Sequence, residues 1–215
     1  VDDEVDRGMI ERTAAWLMSR RAGKGGYDRN SKALDSFGRA SYETTNGYIT
    51  WALTEAKRSK DLKAEIDAQR KAGLDAKDPY LVALAANTML NVDAAGADTA
   101  AIVKRLAAMQ DKAGHFPGAK ESITMSGGES LDIETASLAA IAFMKASPGG
   151  EYEAQVRGAI EWLNGKRDGW GAFGSTQGTV LSLKALTRYA DYSARTQASG
   201  EATVVVNGKD VGKIA

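Results

Sequence analysis

Apolar residues recur at helical spacing along most of the chain, in two patterns that alternate. In the first pattern a single apolar stripe, such as Ile102, Leu106 and Met109, lies opposite lysines, arginines and other polar residues. A segment of this kind buries one face and keeps the other in water. The segments with this pattern are 7–20, 62–72, 99–109 and 153–164.

Segments of the second pattern are apolar on most sides, and such helices must be enclosed by others. These segments are 45–56, 79–90, 133–144 and 176–190. Each is preceded by residues that favour the start of a helix, because their side chains accept hydrogen bonds from free N–H groups or fix the first turn. The predicted start residues are Thr44 or Thr45, Asp78 before Pro79, Ser130 or Asp132, and Ser175.

The alternation predicts an all-α fold, an α/α toroid of helical hairpins in which enclosed helices form an inner ring and amphipathic helices an outer ring. About eight helices would make an incomplete ring. Three turns combine glycines, which allow left-handed backbone, with a closing aromatic that can pack on the preceding hairpin. These turns are 22–27, 111–116 and 168–173. Four tryptophans are also predicted to pack between hairpins or in turns: Trp16, Trp51, Trp162 and Trp170.

Composition supports helices up to about position 200 and changes after it. Alanine is abundant, and there are only 3 prolines to interrupt helices. After Gly200 a β-branched run at 202–206 leads to Asn207-Gly208, a strong signal for a two-residue hairpin turn. The sequence therefore predicts a partial toroid domain at 1–196, and a linker with the first β-strands of a following β-sandwich domain at 197–215.

Charge and missing residue types exclude several functions. Lysine plus arginine number 28, as do aspartate plus glutamate, so net charge gives no reason to bind nucleic acid. The chain has no cysteine, which excludes disulfides and a cysteine nucleophile within it. No apolar run is long enough to cross a bilayer, so we expect no direct membrane insertion. The one histidine, His115, is interpreted as a turn residue, and neither a metal site nor a cofactor is expected.

Several motifs resemble known toroid families. The stretch from Gln110 to Phe116 is similar to the glutamine, glycine and aromatic signature of terpenoid cyclases, prenyltransferase subunits and the complement and macroglobulin thioester domains. Longer runs resemble the thioester domains of bacterial alpha-2-macroglobulins, and they cover nearly the whole chain. These runs are 30–39, 44–55, 118–135 and 174–186. By this resemblance the chain corresponds to the C-terminal two-thirds of such a domain.

The resemblance implies a fragment of a broad-spectrum protease inhibitor, in which a non-enzymatic helical domain shields and presents a thioester. In many family members a cysteine and a glutamine of a Cys-Gly-Glu-Gln-like motif form that thioester, which tethers attacking proteases. This chain has no such motif, so the motif precedes Val1 in the full-length protein or that protein lacks it.

The resemblance also implies partners and a location. The partners are proteases, through the full-length protein, and other domains of the same protein, especially a flanking CUB-like β domain. The location is the periplasm or another extracytoplasmic space, where the full-length protein is either free or anchored to a membrane.

Ser122 is the candidate for the position that modulates the thioester. By the resemblance it occupies the place, shortly before Gly127-Gly128, where some thioester proteins carry a histidine that attacks the thioester and directs transfer to hydroxyls. Without that histidine, a thioester would prefer amines. The competing interpretation is that Ser122 belongs to a polar loop before an inner helix.

Two other functions stay open. Asp132 and Glu134 are interpreted as acidic residues that favour a helix start, but paired carboxylates on a toroid would also fit a cyclase-like or glycosidase-like enzyme. A carboxylate pair would have to converge in a cavity, whereas a shield needs a closed apolar centre. The other alternative is a family member without a thioester that encloses proteases non-covalently.

Overall fold

The computed structural model describes residues 6–29, 40–147, 150–195, 202–206 and 209–214. These residues form eight helices and one pair of strands, which confirms the all-α prediction. The helices are α1 Arg7–Ser19, α2 Tyr42–Glu55, α3 Lys63–Asp75, α4 Pro79–Val92, α5 Ala97–Ala108, α6 Gly128–Ala146, α7 Glu153–Asn164 and α8 Thr176–Arg195. The strands are β1 Ala202–Val206 and β2 Lys209–Ile214.

The even-numbered helices form the inner layer of the toroid. Helix α2 packs on α4, α4 on α6, and α6 on α8, while α3, α5 and α7 lie outside against α4 and α6. The apolar, alanine-rich sequences of α4 and α6 explain why these two helices are buried along most of their length. The outer helices bury one stripe each, as Val156, Ile160 and Leu163 do in α7. The predicted alternation of enclosed and amphipathic helices is therefore confirmed from α4 to α7.

Short polar contacts fix the inner helices against one another. Asn87 Nδ2 of α4 donates to the carbonyl of Leu138 in α6 over 2.8 Å. The hydroxyls of Ser137 in α6 and Ser182 in α8 lie 3.0 Å apart. All four residues are buried, so the loss of one partner would leave a polar group without water, at a cost of about 1–3 kcal/mol.

Helix α8 is less enclosed than its sequence predicted. Val180 and Leu183 on one side of it are 55% and 50% exposed, whereas Leu181 and Ala185 pack inward. Within the described part of the chain, no further inner helix covers the side of α8 that carries Val180 and Leu183. Its apolar residues on that side therefore stay in contact with water.

The helix starts correct two of the predicted caps. Helix α2 begins at Tyr42 and is capped by Ser41, not by the predicted Thr44 or Thr45. Helix α6 begins at Gly128, so Asp132 lies inside the helix and does not cap it. Asp78 caps α4 as predicted, because its side chain accepts from the Tyr80 N–H.

The aromatic residues that close the three glycine turns are buried, as predicted. Tyr27, Phe116 and Phe173 are at most 2% exposed, and each packs its turn against the helices. The prediction for the tryptophans holds only in part. Trp51 is 4% exposed, but Trp16 and Trp170 are 60% and 97% exposed and do not pack between hairpins.

The two strands pair antiparallel from Ala202 opposite Ile214 to Val206 opposite Lys209, with an irregularity between Val204 and Val205. The predicted turn at Asn207-Gly208 lies outside the described residues, as do the boundary at 196–197 and the run at 30–39. In the described part of the chain, none of the helices is both long and apolar enough to span a bilayer.

Candidate functional site

One loop joins the N-terminal ends of the inner helices, and we call residues 118–127 the rim loop. The Lys120 N–H donates to the carboxylate of Asp78, the cap of α4, over 3.0 Å. The Ile123 N–H donates to the Tyr80 hydroxyl over 3.3 Å. Next to these contacts, the carboxylate of Glu121 accepts from the N–H of Ser41, the cap of α2. The rim loop is thus attached to two inner helices before it leads into a third, α6.

Glu134 connects the rim loop to α8. Its side chain is completely buried, and its Oε1 accepts from the hydroxyls of Ser126, over 2.6 Å, and Ser175, over 3.1 Å. Ser175 directly precedes α8, and its own hydroxyl accepts from the Gly178 N–H over 2.9 Å. Because α6 begins at Gly128, Glu134 lies inside the helix and not at its start as predicted, and one of its carboxylate oxygens binds groups from two separate segments.

The second carboxylate oxygen of Glu134 is buried and has no hydrogen-bond partner among the described residues. Two tyrosines lie near enough for its charge to act on them. Burial is the main cause that raises the pKa of Tyr48 and of Tyr80, and the negative charge of Glu134 adds to both shifts. The Tyr48 hydroxyl also accepts from Gln177 Nε2 over 2.6 Å, which links α2 to α8.

Ser122 is completely buried in the rim loop, and its hydroxyl organises the loop itself. The oxygen accepts from the N–H groups of Ser126, over 3.1 Å, and Thr124, over 3.3 Å. It also lies 3.1 Å from the Thr124 hydroxyl. Met125, between these residues, has a φ of 58°, so the loop turns sharply here. A hydroxyl held in this way stabilises a loop conformation and is not presented to solvent as a nucleophile.

A second polar cluster lies away from the rim loop, at the C-terminal ends of α2, α4 and α6 and beside the middle of α8. We call Glu55, Asn91, Lys145, Lys184 and Arg188 the Glu55 cluster. Glu55 is the last residue of α2, and its carboxylate forms ion pairs with Lys145 of α6 and with Lys184 and Arg188 of α8. Asn91 of α4 donates to the same carboxylate over 3.0 Å. Every inner helix therefore contributes to this cluster.

In the Glu55 cluster the pKa values of Glu55 and Lys145 are strongly shifted, although solvent still reaches both side chains. Burial alone would raise the pKa of Glu55, but Lys145, Asn91 and Lys184 lower it to about 2. Burial lowers the pKa of Lys145 to about 8, and the charges of Arg188 and Lys184 act in the same direction, against the attraction of Glu55. The carboxylate is thus strongly stabilised by an excess of cations.

Sequence reasoning missed both Glu55 and the full role of Glu134. The Glu55 partners on α8 are 129 and 133 residues away in sequence, so no local spacing could connect them. Glu134 had a sequence signal, a carboxylate within an apolar helix. Burial of an acidic group there requires partners, and the hydroxyl-rich rim loop supplies them.

The other two candidate residues, His115 and Asp132, belong to a turn and a helix of the fold. His115 lies in its glycine turn as expected, with Nδ1 2.9 Å from an Asp111 carboxylate oxygen and its ring stacked on Trp162. Asp132 is partly buried, which raises its pKa. Among the described residues, no group of three His, Cys, Asp or Glu side chains could hold a metal ion.

Concentric helical hairpins, with their inner N-terminal ends joined by one loop, place the chain in the class of α/α toroid domains. The family model of the A-macroglobulin TED domain matches residues 2–189. The chain belongs to this family, the thioester domains of the alpha-2-macroglobulin type. A comparison with curated proteins finds no match.

Proposed function

We propose that this chain is the greater part of a helical domain that shields and presents a thioester in a broad-spectrum protease inhibitor of the bacterial alpha-2-macroglobulin type. The observation that carries the proposal is the family match over residues 2–189. The full-length protein would act outside the cytoplasm, in the periplasm or anchored to a membrane, with attacking proteases as its partners. The domain itself would contribute no catalytic turnover.

The rim loop is the part of the domain that we assign to the thioester. Attack on a thioester develops negative charge on the carbonyl oxygen and on the leaving sulfur. The N-terminal ends of helices favour negative charge, because their free N–H groups and aligned dipoles point toward it. The starts of all four inner helices contact one another through the rim loop, Glu134 and Ser175. This arrangement supports a reactive carbonyl at this end of the domain.

Ser122 supports a preference for amines over hydroxyls. By the family resemblance it stands where a histidine would attack the thioester and pass the acyl group to hydroxyls. A buried hydroxyl that already accepts two N–H groups of its own loop cannot replace that histidine. Lysine amines are stronger nucleophiles than alcohols and would react directly. Proteases would then be tethered through their lysines.

The division of the chain follows from the same assignment. Residues 1–196 would form the toroid part, and residues 197–215 a linker and the first strands of a following CUB-like β domain. The pairing of β1 with β2 supports this division, because the hairpin is of a different structural class from the helices before it. This β domain would be the main intramolecular partner of the toroid.

The decisive experiment is the intact mass of the full-length protein before and after methylamine, which opens thioesters. We expect a gain of one methylamine together with one new free thiol. The 215-residue chain alone serves as the control and should gain nothing, because it has no cysteine. No gain in the undamaged full-length protein would refute the thioester and leave non-covalent enclosure of proteases as the function.

The amine preference has its own test. Full-length protein is activated by a protease in the presence of either radiolabelled methylamine or radiolabelled glycerol. We expect covalent incorporation of methylamine only. Equal incorporation of glycerol would show that hydroxyl transfer occurs without a histidine at position 122. It would refute the assigned preference but not the thioester itself.

A further inference from the structure

The Glu55 cluster holds more cationic donors than its one carboxylate can satisfy. Glu55 Oε2 lies 3.3 Å from both Lys184 Nζ and Arg188 Nη2, and Glu55 Oε1 accepts from Lys145 and from Asn91. An ammonium carries three N–H donors and a guanidinium five. Most donors of Lys184 and Arg188 therefore have no acceptor within the cluster.

The cluster also contains more positive than negative charge. Three cations face one carboxylate, and Glu55 is the one acidic partner in the ion pairs of Lys145, Lys184 and Arg188 among the described residues. The C-terminal ends of α2, α4 and α6 offset part of the excess positive charge. Each of these ends carries a partial negative charge, about half an elementary charge at most. A net positive charge remains in the cluster, whose side chains are only partly shielded from bulk water.

The cluster is open to a ligand on the side of α8. The side chains of Lys184 and Arg188 are each 35% exposed, whereas those of Glu55 and Lys145 are 18% and 19% exposed. Lys184 Nζ also lies 5.0 Å from the centre of the Trp51 ring, so an apolar wall limits its movement. Cations held in partial shelter attract an anion more strongly than fully hydrated ones.

We propose that the Glu55 cluster is a binding site for an oxyanion group, a carboxylate or a phosphate, which Lys184 and Arg188 contact from the solvent side. The donor that fits such a group is the guanidinium of Arg188, which can bind two oxygens at once. The ligand is either a free small oxyanion or an acidic side chain of a protein segment. The inference does not depend on the proposed thioester, which lies at the other end of the inner helices.

The test follows the indole N–H of Trp51, which donates to Glu55 Oε1 over 3.1 Å and so reports on the cluster. Its resonance in a nitrogen-15 correlation spectrum is assigned by its loss in Trp51→Phe. Inorganic phosphate is titrated at pH 7 against sodium chloride of equal ionic strength. We expect a saturable shift in the millimolar range with phosphate and only a small linear drift with chloride.

Variants connect the shift to the cluster. Lys184→Gln should weaken phosphate binding about tenfold, and Arg188→Gln, a second variant in case the first does not fold, should do the same. Lys104→Gln is the matched control, since Lys104 is an exposed lysine of α5, and it should bind like the wild type. Glu55→Gln should bind phosphate more tightly, because the resident competitor has lost its charge.

Two results would overturn the proposal: an identical response to phosphate and chloride, or unchanged phosphate binding in both Lys184→Gln and Arg188→Gln. A tetraglutamate peptide then distinguishes the sources of the oxyanion. If the peptide displaces phosphate, the site accepts an acidic protein segment. If phosphate binds and the peptide does not, the site takes a small free oxyanion, and the proposal holds in that form.

Discussion

Two glutamates of this domain have opposite surroundings. Glu55 forms ion pairs with three cations, whereas Glu134 binds hydroxyls and has one carboxylate oxygen with no partner in the described part of the chain. A partly buried carboxylate gains from each cation that stays near it. A carboxylate that faces only hydroxyls gains less, so its value lies in fixing the groups that donate to it.

Glu55→Gln should make the domain less stable at pH 7 by about 2 kcal/mol, because three cations would lose their common partner. The folded pKa of Glu55, about 2, lies below its ordinary value of 4.5. Its stabilisation is therefore complete above pH 4.5 and is lost as the pH falls through 2. The difference between wild type and variant, measured from urea midpoints at several pH values, should shrink steadily below pH 4.5.

Glu11→Gln is the control for the Glu55 variant. Glu11 also pairs with one arginine, Arg58, but its side chain is 61% exposed. Water and salt screen such a pair, so the substitution should change stability by less than about 1 kcal/mol at any pH. A Glu55 variant whose stability follows the wild type in parallel from pH 7 to pH 3 would contradict the assigned pKa.

Glu134→Ala should loosen the rim loop. The hydroxyls of Ser126 and Ser175, both half-buried, would lose their common acceptor, at a cost of about 1–3 kcal/mol. Glu129→Ala in the same helix is the matched control, since Glu129 has a side chain that is 64% exposed and forms an ion pair with Lys166. Hydrogen exchange followed by mass spectrometry should show faster exchange across 118–127 in the first variant alone. Unchanged exchange there would mean that Glu134 does not hold the loop.

For single residues, the sequence predicted the place of a side chain in the fold better than the contacts that the side chain makes. Ser122 was assigned to a loop before an inner helix, and it lies in one, but its hydrogen bonds to the loop backbone depend on a turn that no local pattern specifies. The link between Tyr48 and Gln177 spans 129 residues. Contacts of this kind follow from the tertiary arrangement that places side chains of α2 and α8 next to each other, which no local pattern specifies.

Among the secondary-structure elements, the turn before the rim loop shows how closely a hairpin packs on its neighbour. Gly114 has a φ of +95°, and a Cβ there would lie 2.1 Å from the carbonyl oxygen of Gly158 in α7. The side chain of Gln110 donates to the carbonyls of Gly114 and Gln155, each over 3.0 Å, and so ties the turn to α7. The glycine is required both by its backbone angle and by the approach of α7.

Gly114→Ala and Gly118→Ala separate these two requirements. Gly118 has nearly the same φ, +97°, but no atom of the described residues lies within 4 Å of a Cβ there. Gly118→Ala should therefore cost only the strain of the left-handed backbone, about 1 kcal/mol, whereas Gly114→Ala must also displace α7 and should cost about 3 kcal/mol or more. Urea unfolding measures both variants. Equal losses would show that α7 does not limit the turn.

The sequence predicted which segments are helical, but it predicted less well where each helix begins and ends. All eight predicted segments are helical, because apolar periodicity reflects burial directly. Helix α6 starts five residues before its predicted apolar segment, at Gly128 with a φ of +55°, and its start has no side-chain cap. The tertiary contacts of the rim loop set this start, and helix propensity alone gave no signal for it.

For the whole molecule, the two ends of the inner layer differ in chemistry. Hydroxyls, tyrosines and one glutamate lie at the end with the helix starts, and the Glu55 cluster lies at the other end. The layer between them is mainly apolar and contains Leu84, Met89 and Phe143 without solvent exposure, apart from buried polar contacts such as that of Ser137 with Ser182. Glu55 and Glu134 lie at opposite ends of this layer, so these two carboxylates do not converge on one centre.

The toroid itself was predictable because alternation of helix types is a property of the whole sequence, whereas the relation of the β-hairpin to the helices was not. We predict that deletion of residues 197–215 leaves the helical domain intact. The two strands pair with each other, while α8 packs chiefly on α6. The midpoint of thermal unfolding, followed by circular dichroism at 222 nm, should change by less than about 2 °C.

Deletion of 176–215 is the control, and it should abolish cooperative unfolding. It removes α8 together with Leu181 and Ala185, which belong to the buried core, and would expose the α6 face that they cover. Loss of two such side chains costs several kcal/mol, roughly the stability of a small domain. If the shorter deletion instead lowers the midpoint by more than about 5 °C, the tail contributes to the helical core, and the division between 196 and 197 is wrong.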